Sequence, residues 1–374
     1  MPTANISDMD RVYNFSAAQT MLPPEVLSGL SANLSSYEGT GISPLELDYT
    51  GDTCHKIAAE AEESLRTLLG VPSNYRILFM QGGASTQFSA IPLNLLSAHT
   101  CADYLITGVF SRQAYLEGKR YGDMAIAATS AGASPAFSSV PETQKSDFRP
   151  DADYVHLCYN NTVYGTRFHT VPDTGNIPLV ADMSSCFLSE PIDIPSFGMI
   201  YASAQKNIGV AGLTVVILRD DLIGHARSDT PAPLDYRAVA EGDPYPAAPV
   251  AFPLYMASRV FSWMLSVGGL DEMKRRNERK ASLLYDYLDS QTYYTAQVNK
   301  KYRSMTNVVF LTGNAACDAE FVRQAAEAGL VGLAGHHTVG GLRASVYNAM
   351  PYEGVERLVD FMRRFAMENP KIEL

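Results

Sequence analysis

Short apolar runs alternate with segments of helical spacing through the first 219 residues, and this alternation constrains the fold more than any other feature. The runs are Y-R-I-L-F-M at 75–80, D-Y-L-I-T at 103–107, and the segments 153–158, 178–182, 198–203 and 213–219. Helical patterns lie between them. In 53–69, Ile57, Ala61, Leu65, Leu68 and Leu69 share one face, Thr53 can cap the start, and Gly70 ends the segment before Pro72. Further helices are expected from Gly82-Gly83 to about Ser97, and after residue 107 to about Tyr121. Strands separated by helices of this length make βαβ units and a mainly parallel sheet. The expected class is therefore α/β.

Beyond about residue 250 the texture changes. A long helix is expected over 269–289, with Leu270, Met273, Ala281, Leu284 and Leu288 on one face. Its basic run (Lys274, Arg275, Arg276, Arg279, Lys280) falls mostly on other faces, as a solvated surface does. Strand 305–312, helix 318–328, strand 340–347 and helix 351–366 then read as a smaller α/β domain. The Pro-rich segment 231–253 is expected to bridge the two domains and to cover a site or an interface. A chain of 374 residues is long enough for one large domain and one small one.

Composition removes several function classes. Lysines and arginines number 29 against 40 acidic residues, a net charge of −11, with no basic block beyond 274–276. Nucleic acid and anionic membrane surfaces are poor partners for such a chain. Runs such as L-T-V-V-I-L at 213–218 are far too short to span a bilayer. M-P-T-A-N-I-S-D-M-D-R lacks the apolar core of a signal peptide. The cysteines (Cys54, Cys101, Cys158, Cys186, Cys317) are odd in number and never in a C-x-x-C pair. Free thiols in a reducing compartment are expected, with neither a disulfide framework nor a zinc site.

Familiar catalytic signatures are missing: no Walker A loop, G-x-G-x-x-G, G-x-S-x-G or H-E-x-x-H occurs. His336 and His337 are adjacent, so their side chains are expected to diverge rather than share a metal. What remains are polar residues near the carboxyl ends of expected strands, where open α/β sheets bind ligands. Lys206 follows one apolar strand and precedes another. Either it lies in a surface turn with its ammonium in water, or it is a desolvated amine that forms a Schiff base with an aldehyde cofactor. Asp182 ends P-L-V-A-D. It is a turn carboxylate or the partner of a pyridinium N–H. Q-G-G-A-S-T at 81–86 is a plain strand–helix turn, with Ser85 and Thr86 as caps, or a backbone cradle for phosphate at a helix N-terminus. Phe110 is a core aromatic or a ring-stacking residue. Arg343, in an apolar strand, needs an anionic partner, either a protein carboxylate or a substrate α-carboxylate.

Several blocks carry a family resemblance. They are A-Q-K-N-I-G with the following L-T-V-V-I-L-R-D-D-L, G-G-L-R-A-S-V-Y-N-A-M-P, V-P-S-N-Y-R-I-L-F-M-Q-G-G, C-A-D-Y-L-I-T-G and A-D-M-S-S-C-F-L-S-E-P-I-D. From about Asn14 to the C-terminus the chain resembles phosphoserine aminotransferases. The resemblance implies a fold-type I architecture with a seven-stranded sheet, a large cofactor domain at 16–262, and a small domain from 1–15 and 263–374. It implies pyridoxal 5′-phosphate, a cytoplasmic homodimer with sites at the subunit interface, and no metal. The implied reaction moves an amino group from phosphoserine to 2-oxoglutarate, in serine biosynthesis. By position, Lys206 is the Schiff-base lysine and takes the α-proton. Asp182 pairs with the ring nitrogen, Gly83, Ala84, Ser85 and Gln205 hold the phosphate, Thr162 lies at the 3-hydroxyl side, Phe110 stacks where Trp is usual, and Arg343 binds the α-carboxylate.

The departures from that pattern matter equally. The family's S-H-R-G is D-Y-T-G here, so Tyr49 and Thr50 stand where His and Arg hold the substrate's side-chain anion. G-H-R-x-V-G-G is G-H-H-T-V-G-G, which keeps His336 but places His337 at the arginine position. The Asn-Thr that reaches the phosphate from the other subunit aligns with Ala247-Ala248. Neither Thr nor a mostly neutral His replaces a bidentate guanidinium. At roughly 1.5–3 kcal/mol per hydrogen bond to a charged group, the two losses predict phosphoserine binding weaker by on the order of a hundredfold. The competing expectations are a diverged enzyme for a non-phosphorylated amino acid, by transamination or by β-elimination or replacement, and a cofactor-free scaffold that has lost activity.

Overall fold

The computed structural model describes residues 11–242 and 250–370. In chain order the strands are β1 Tyr13–Asn14, β2 Tyr75–Gln81, β3 Cys101–Ile106, β4 Asp123–Thr129, β5 Val155–Cys158, β6 Leu179–Asp182, β7 Met199–Ser203, β8 Leu213–Arg219, β9 Thr295–Ala296, β10 Asn307–Leu311, β11 Leu330–Val331 and β12 Leu342–Ser345. The α-helices are α1 Pro24–Asn33, α2 Asp52–Leu69, α3 Ala84–Leu95, α4 Val109–Gly118, α5 Tyr236–Glu241, α6 Ala251–Ser266, α7 Gly269–Ser290, α8 Ala315–Glu327 and α9 Tyr352–Glu368.

The α/β expectation is met. Seven strands form one sheet in the order β2-β8-β7-β6-β5-β3-β4. Only β8 runs against its neighbours, pairing antiparallel with both β2 and β7. Both faces are covered, so the strands need apolar residues on both sides. Along β2 the side chains alternate: Tyr75 and Ile77 enter the core that includes α2 and α6, while Leu78 and Met80 enter the core under α3 and α4. A third core joins α7, α8 and α9 to the antiparallel sheet β12-β10-β9, and Phe15 and Met21 from the N-terminal segment pack into it. Parallel pairing of β1 with β11 ties that segment down.

Several sequence expectations are corrected here. Helix α2 starts at Asp52 with Gly51 as its cap, and no side chain, including that of Thr53, caps it. Its end is as expected: Gly70 adopts φ 60 and returns its N–H to the Arg66 carbonyl. Strand β4 was not foreseen, because D-M-A-I-A-A-T is alanine-rich, has poor strand propensity and lies half-exposed at the sheet edge. Helix α6 was also missed. Pro253 falls in its first turn, where a missing N–H costs nothing. Segment 231–253 does not behave as a bridge where it is described. Tyr236 is fully buried against the large sheet, its hydroxyl donating to Gln87 Oε1 at 2.9 Å, and Asn94 Nδ2 donates to the Leu234 carbonyl at 2.7 Å. Ala247 and Ala248 lie outside the described residues.

Candidate active site

The carboxyl ends of β2, β7, β6, β5 and β3 point to the same edge of the sheet, since these strands are mutually parallel. Each end leads into a loop with a polar or aromatic residue, and the loops surround a cavity of about 360 Å³. That is the size and place expected of a small-molecule site in an open α/β sheet.

After β2, Gly82 takes φ +96, and a Cβ there would lie 2.3 Å from Thr86 Oγ1. Only glycine allows so tight a turn into α3. Gly83 caps α3 with no side chain, and Gly83, Ala84 and Ser85 line the cavity. The expectation of Ser85 or Thr86 as the cap is thus corrected. The uncapped N-terminus supplies backbone N–H groups and a partial positive charge, a seat for phosphate.

Asp182 ends β6 and is 7% exposed. Its Oδ1 accepts from the Ser184 N–H at 2.9 Å, and the Cys158 thiol lies 3.9 Å from Oδ2. Lys206 follows β7. It is half-buried and lines the cavity, which rules out a surface turn with a fully hydrated ammonium. Its Nζ donates to Thr162 Oγ1 at 2.9 Å and lies 5.7 Å from the Phe110 ring centroid. Desolvation lowers its pKa below the usual amine value, partly offset by the negative charge of Asp182. Thr20 Oγ1 donates to the Lys206 carbonyl at 2.7 Å, anchoring the backbone from the N-terminal segment. Gln205 Oε1 accepts from Ser203 Oγ at 2.7 Å.

Arg343 reaches the cavity from β12, in the other sheet. Its Nη1 donates to the Thr162 carbonyl at 3.1 Å, and its Nε is buried with no hydrogen-bond partner. No carboxylate pairs with it among the described residues, and desolvation lowers its pKa. A buried, unfilled guanidinium donor is the feature expected of a carboxylate site. His336 also lines the cavity. Its pKa is lowered by burial, by His337 and by Arg343.

Three sequence-predicted residues are not brought to this cavity within one chain. His337 is exposed, and its ring packs against that of His336 with centroids 4.1 Å apart and planes tilted by 37°. The expected divergence of the two rings is therefore corrected. A tight turn, closed by the N–H groups of Val339 and Gly340 on the His336 carbonyl, folds the pair together. Thr50 is exposed and bonds Asp48 Oδ1 through both its N–H (2.9 Å) and its hydroxyl (2.8 Å), with Tyr49 exposed beside it. Sequence reasoning missed Asn160, Ser203 and Thr20. Asn160, two residues past β5, Ser203, at the end of β7, and Thr20, in the N-terminal loop, carried no residue pattern that assigned them a role.

The lysine, the carboxylate, the helix N-terminus and the flanking aromatic together fit a pyridoxal phosphate. Residues 12–358 match the model of the aminotransferase class-V family. The chain belongs to the class-V aminotransferase family. It is 46% identical to the phosphoserine aminotransferase of Acidithiobacillus ferrooxidans over 359 residues, 96% of this chain and 99% of that protein. The phosphoserine aminotransferase structure from Bacillus circulans subsp. alkalophilus superposes with a TM-score of 0.92 at 40% identity, covering 96% and 99% of the two chains. The pyridoxal phosphate-bound phosphoserine aminotransferase of Trichomonas vaginalis gives 0.86 at 36% identity, covering 94% and 100%. The chain is thus a pyridoxal phosphate-dependent aminotransferase.

Proposed function

We propose that the protein transfers the amino group of phosphoserine, the substrate in its relatives' names, to 2-oxoglutarate, giving 3-phosphohydroxypyruvate and glutamate. One observation carries the reading. Lys206 and Arg343 bind the two oxygens of a single residue, Thr162, beside a buried Asp182 in one cavity.

When bound, the cofactor supplies an aldehyde and a conjugated ring that takes up the electron pair of the amino acid's α-carbon. Lys206 is the nucleophile that holds it. Gly83, Ala84, Ser85 and Gln205 would hold its phosphate, Phe110 would flank its ring, and Asp182 would keep a proton on its ring nitrogen. Thr162 holds the lysine amine close to the cofactor's hydroxyl side. Arg343 grips the substrate α-carboxylate, which turns the α-hydrogen toward Lys206 Nζ. Lys206 would take that proton as general base and return it later in the cycle. The visible spectrum of the purified protein tests this. A yellow band that is absent in Lys206→Ala is expected, and no band after incubation with pyridoxal phosphate would overturn the reading.

The protein works as a cytoplasmic homodimer in this reading. Leu34, Ile42, Leu45 and Tyr49 expose apolar surface along one N-terminal stretch, and a second copy would cover it while bringing Tyr49 and Thr50 to the neighbouring site. Among the described residues no helix is long and apolar enough to cross a membrane, and the cysteines are free. Among the described residues, the proposed division into a large domain at 16–262 and a small one from 1–15 with 263–374 is supported by the separate core that joins α7, α8 and α9 to the smaller antiparallel sheet.

A second reading keeps the chemistry and changes the substrate to a non-phosphorylated amino acid. It rests on the cavity's cations. Lys206 and Arg343 are the only lysine and arginine lining it among the described residues, and His336 is held toward its neutral form. No turnover of phosphoserine, together with a band shift by another amino acid, would decide for it.

A further inference from the structure

Outside the reacting groups lies a second buried polar constellation, centred on Asn348. Strand β12 carries Arg343 and ends at Ser345; the chain then turns inward. The Asn348 backbone N–H donates to Asn207 Oδ1 at 3.0 Å, and its Nδ2 donates to the Leu188 carbonyl at 2.8 Å. Its Oδ1 accepts from Asn277 Nδ2 at 2.7 Å, and Asn277 also donates to the Ser189 carbonyl at 3.0 Å. From α7, Lys280 Nζ donates to the carbonyls of the residues on either side of this turn, Tyr347 at 2.6 Å and Met350 at 3.1 Å. All are buried: Asn348 and Asn207 are 5% exposed, Lys280 1% and Asn277 0%.

Apolar side chains would fill such an interior at less desolvation cost, so stability alone is a poor account of it. The connectivity is more informative. Asn207 is the residue after Lys206, and Asn348 is five residues beyond Arg343. The bonds therefore join the turn that carries the amine to the segment that carries the guanidinium. Leu188, which receives the Asn348 amide, holds a left-handed backbone with φ 60. Such strain in a non-glycine residue persists only where its surroundings enforce it.

We propose that Asn348, held by Asn277 and Lys280, is a positioning residue that sets the separation of the Arg343 guanidinium from the Lys206 amine. The inference rests on the roles proposed above for those two residues. If the clasp loosens, a carboxylate held by Arg343 no longer presents its α-hydrogen squarely to Nζ, and displacements of this kind cost rate steeply.

The test uses cofactor-loaded protein with Asn348→Ala, Asn277→Ala and Lys280→Met, the last keeping an apolar stem of similar length. The readouts are kcat and KM for phosphoserine and 2-oxoglutarate, and the pH midpoint of the visible cofactor band. Amide hydrogen exchange over 205–209 is followed as well. Expected are a fall in kcat/KM of about tenfold or more in the alanine variants, a shifted band midpoint, and faster exchange over 205–209 with cofactor occupancy retained. Lys280→Met is expected to change kcat/KM in the same direction by about threefold. Variants that melt earlier while kinetics and band midpoint match the parent would overturn the proposal. So would a kinetically silent Lys280→Met if the alanine variants do not fold. A parent protein without a cofactor band would instead overturn the reading of the site, and this inference with it.

Discussion

At Thr162 the hydroxyl accepts from the Lys206 amine and the carbonyl accepts from the Arg343 guanidinium. Thr162→Val removes the first contact and keeps the second, since valine has the same shape and the carbonyl is backbone. It should lower kcat about tenfold and leave KM for the amino donor within about threefold of the parent, measurable in one steady-state series. Lys206 gives a linked pH prediction. Its depressed pKa leaves more neutral amine near pH 8 than an ordinary lysine has, so cofactor capture by the cofactor-free protein should level off at a pH below 10.5. Losing the Thr162 acceptor disfavours the charged amine and should move that plateau lower still; a plateau unmoved in Thr162→Val would contradict the contact. Arginine chemistry supplies a third test. Thr50→Arg with His337→Arg should tighten phosphoserine binding about tenfold or more, read as KM. No gain would mean that the side-chain pocket differs in more than these two positions.

Strands β5 and β7 show what pattern reading sees and what it misses. Both were expected as strands, and both are strands buried along their whole length. His156 on β5 drew no notice, because a lone histidine in an apolar run carries no signal by itself. In the fold it is 1% exposed, its Nε2 lies 2.8 Å from the Tyr201 hydroxyl, and burial lowers its pKa to about 3. The unfolded chain takes this proton near 6.5 and the folded protein only near 3, so stability falls as pH drops through that window. At pH 5 the loss from this one residue is on the order of 2 kcal/mol. His156→Gln should therefore melt lower at pH 7 yet show a flatter dependence of Tm between pH 6.5 and 4; parallel curves would remove His156 from the account. Edge strand β4 escaped notice for the opposite reason, since its alanines obey no burial period.

For the whole molecule, the exposed apolar stretch between residues 34 and 49 governs assembly in the proposed dimer. Ile42→Glu with Leu45→Glu places two charges on residues now 48% and 61% exposed. Sedimentation should show a shift to monomer, with activity lost and secondary structure kept; an unchanged dimer would move the interface elsewhere.

By itself the sequence determined the α/β class, the tight glycine turn and the places of Lys206, Asp182 and Arg343. Those features are local: periodicity records which face is buried, and a glycine records a backbone angle. The tertiary structure decided that Arg343 reaches Thr162 across 181 residues of chain, that Asn348 clasps the lysine turn, and that the two histidine rings pack against each other. It also placed Tyr49 and Thr50 away from their own chain's cavity. No spacing rule encodes such contacts, because they depend on how two sheets and their helices pack against each other, which is a property of filled volume and satisfied hydrogen bonds rather than of sequence order.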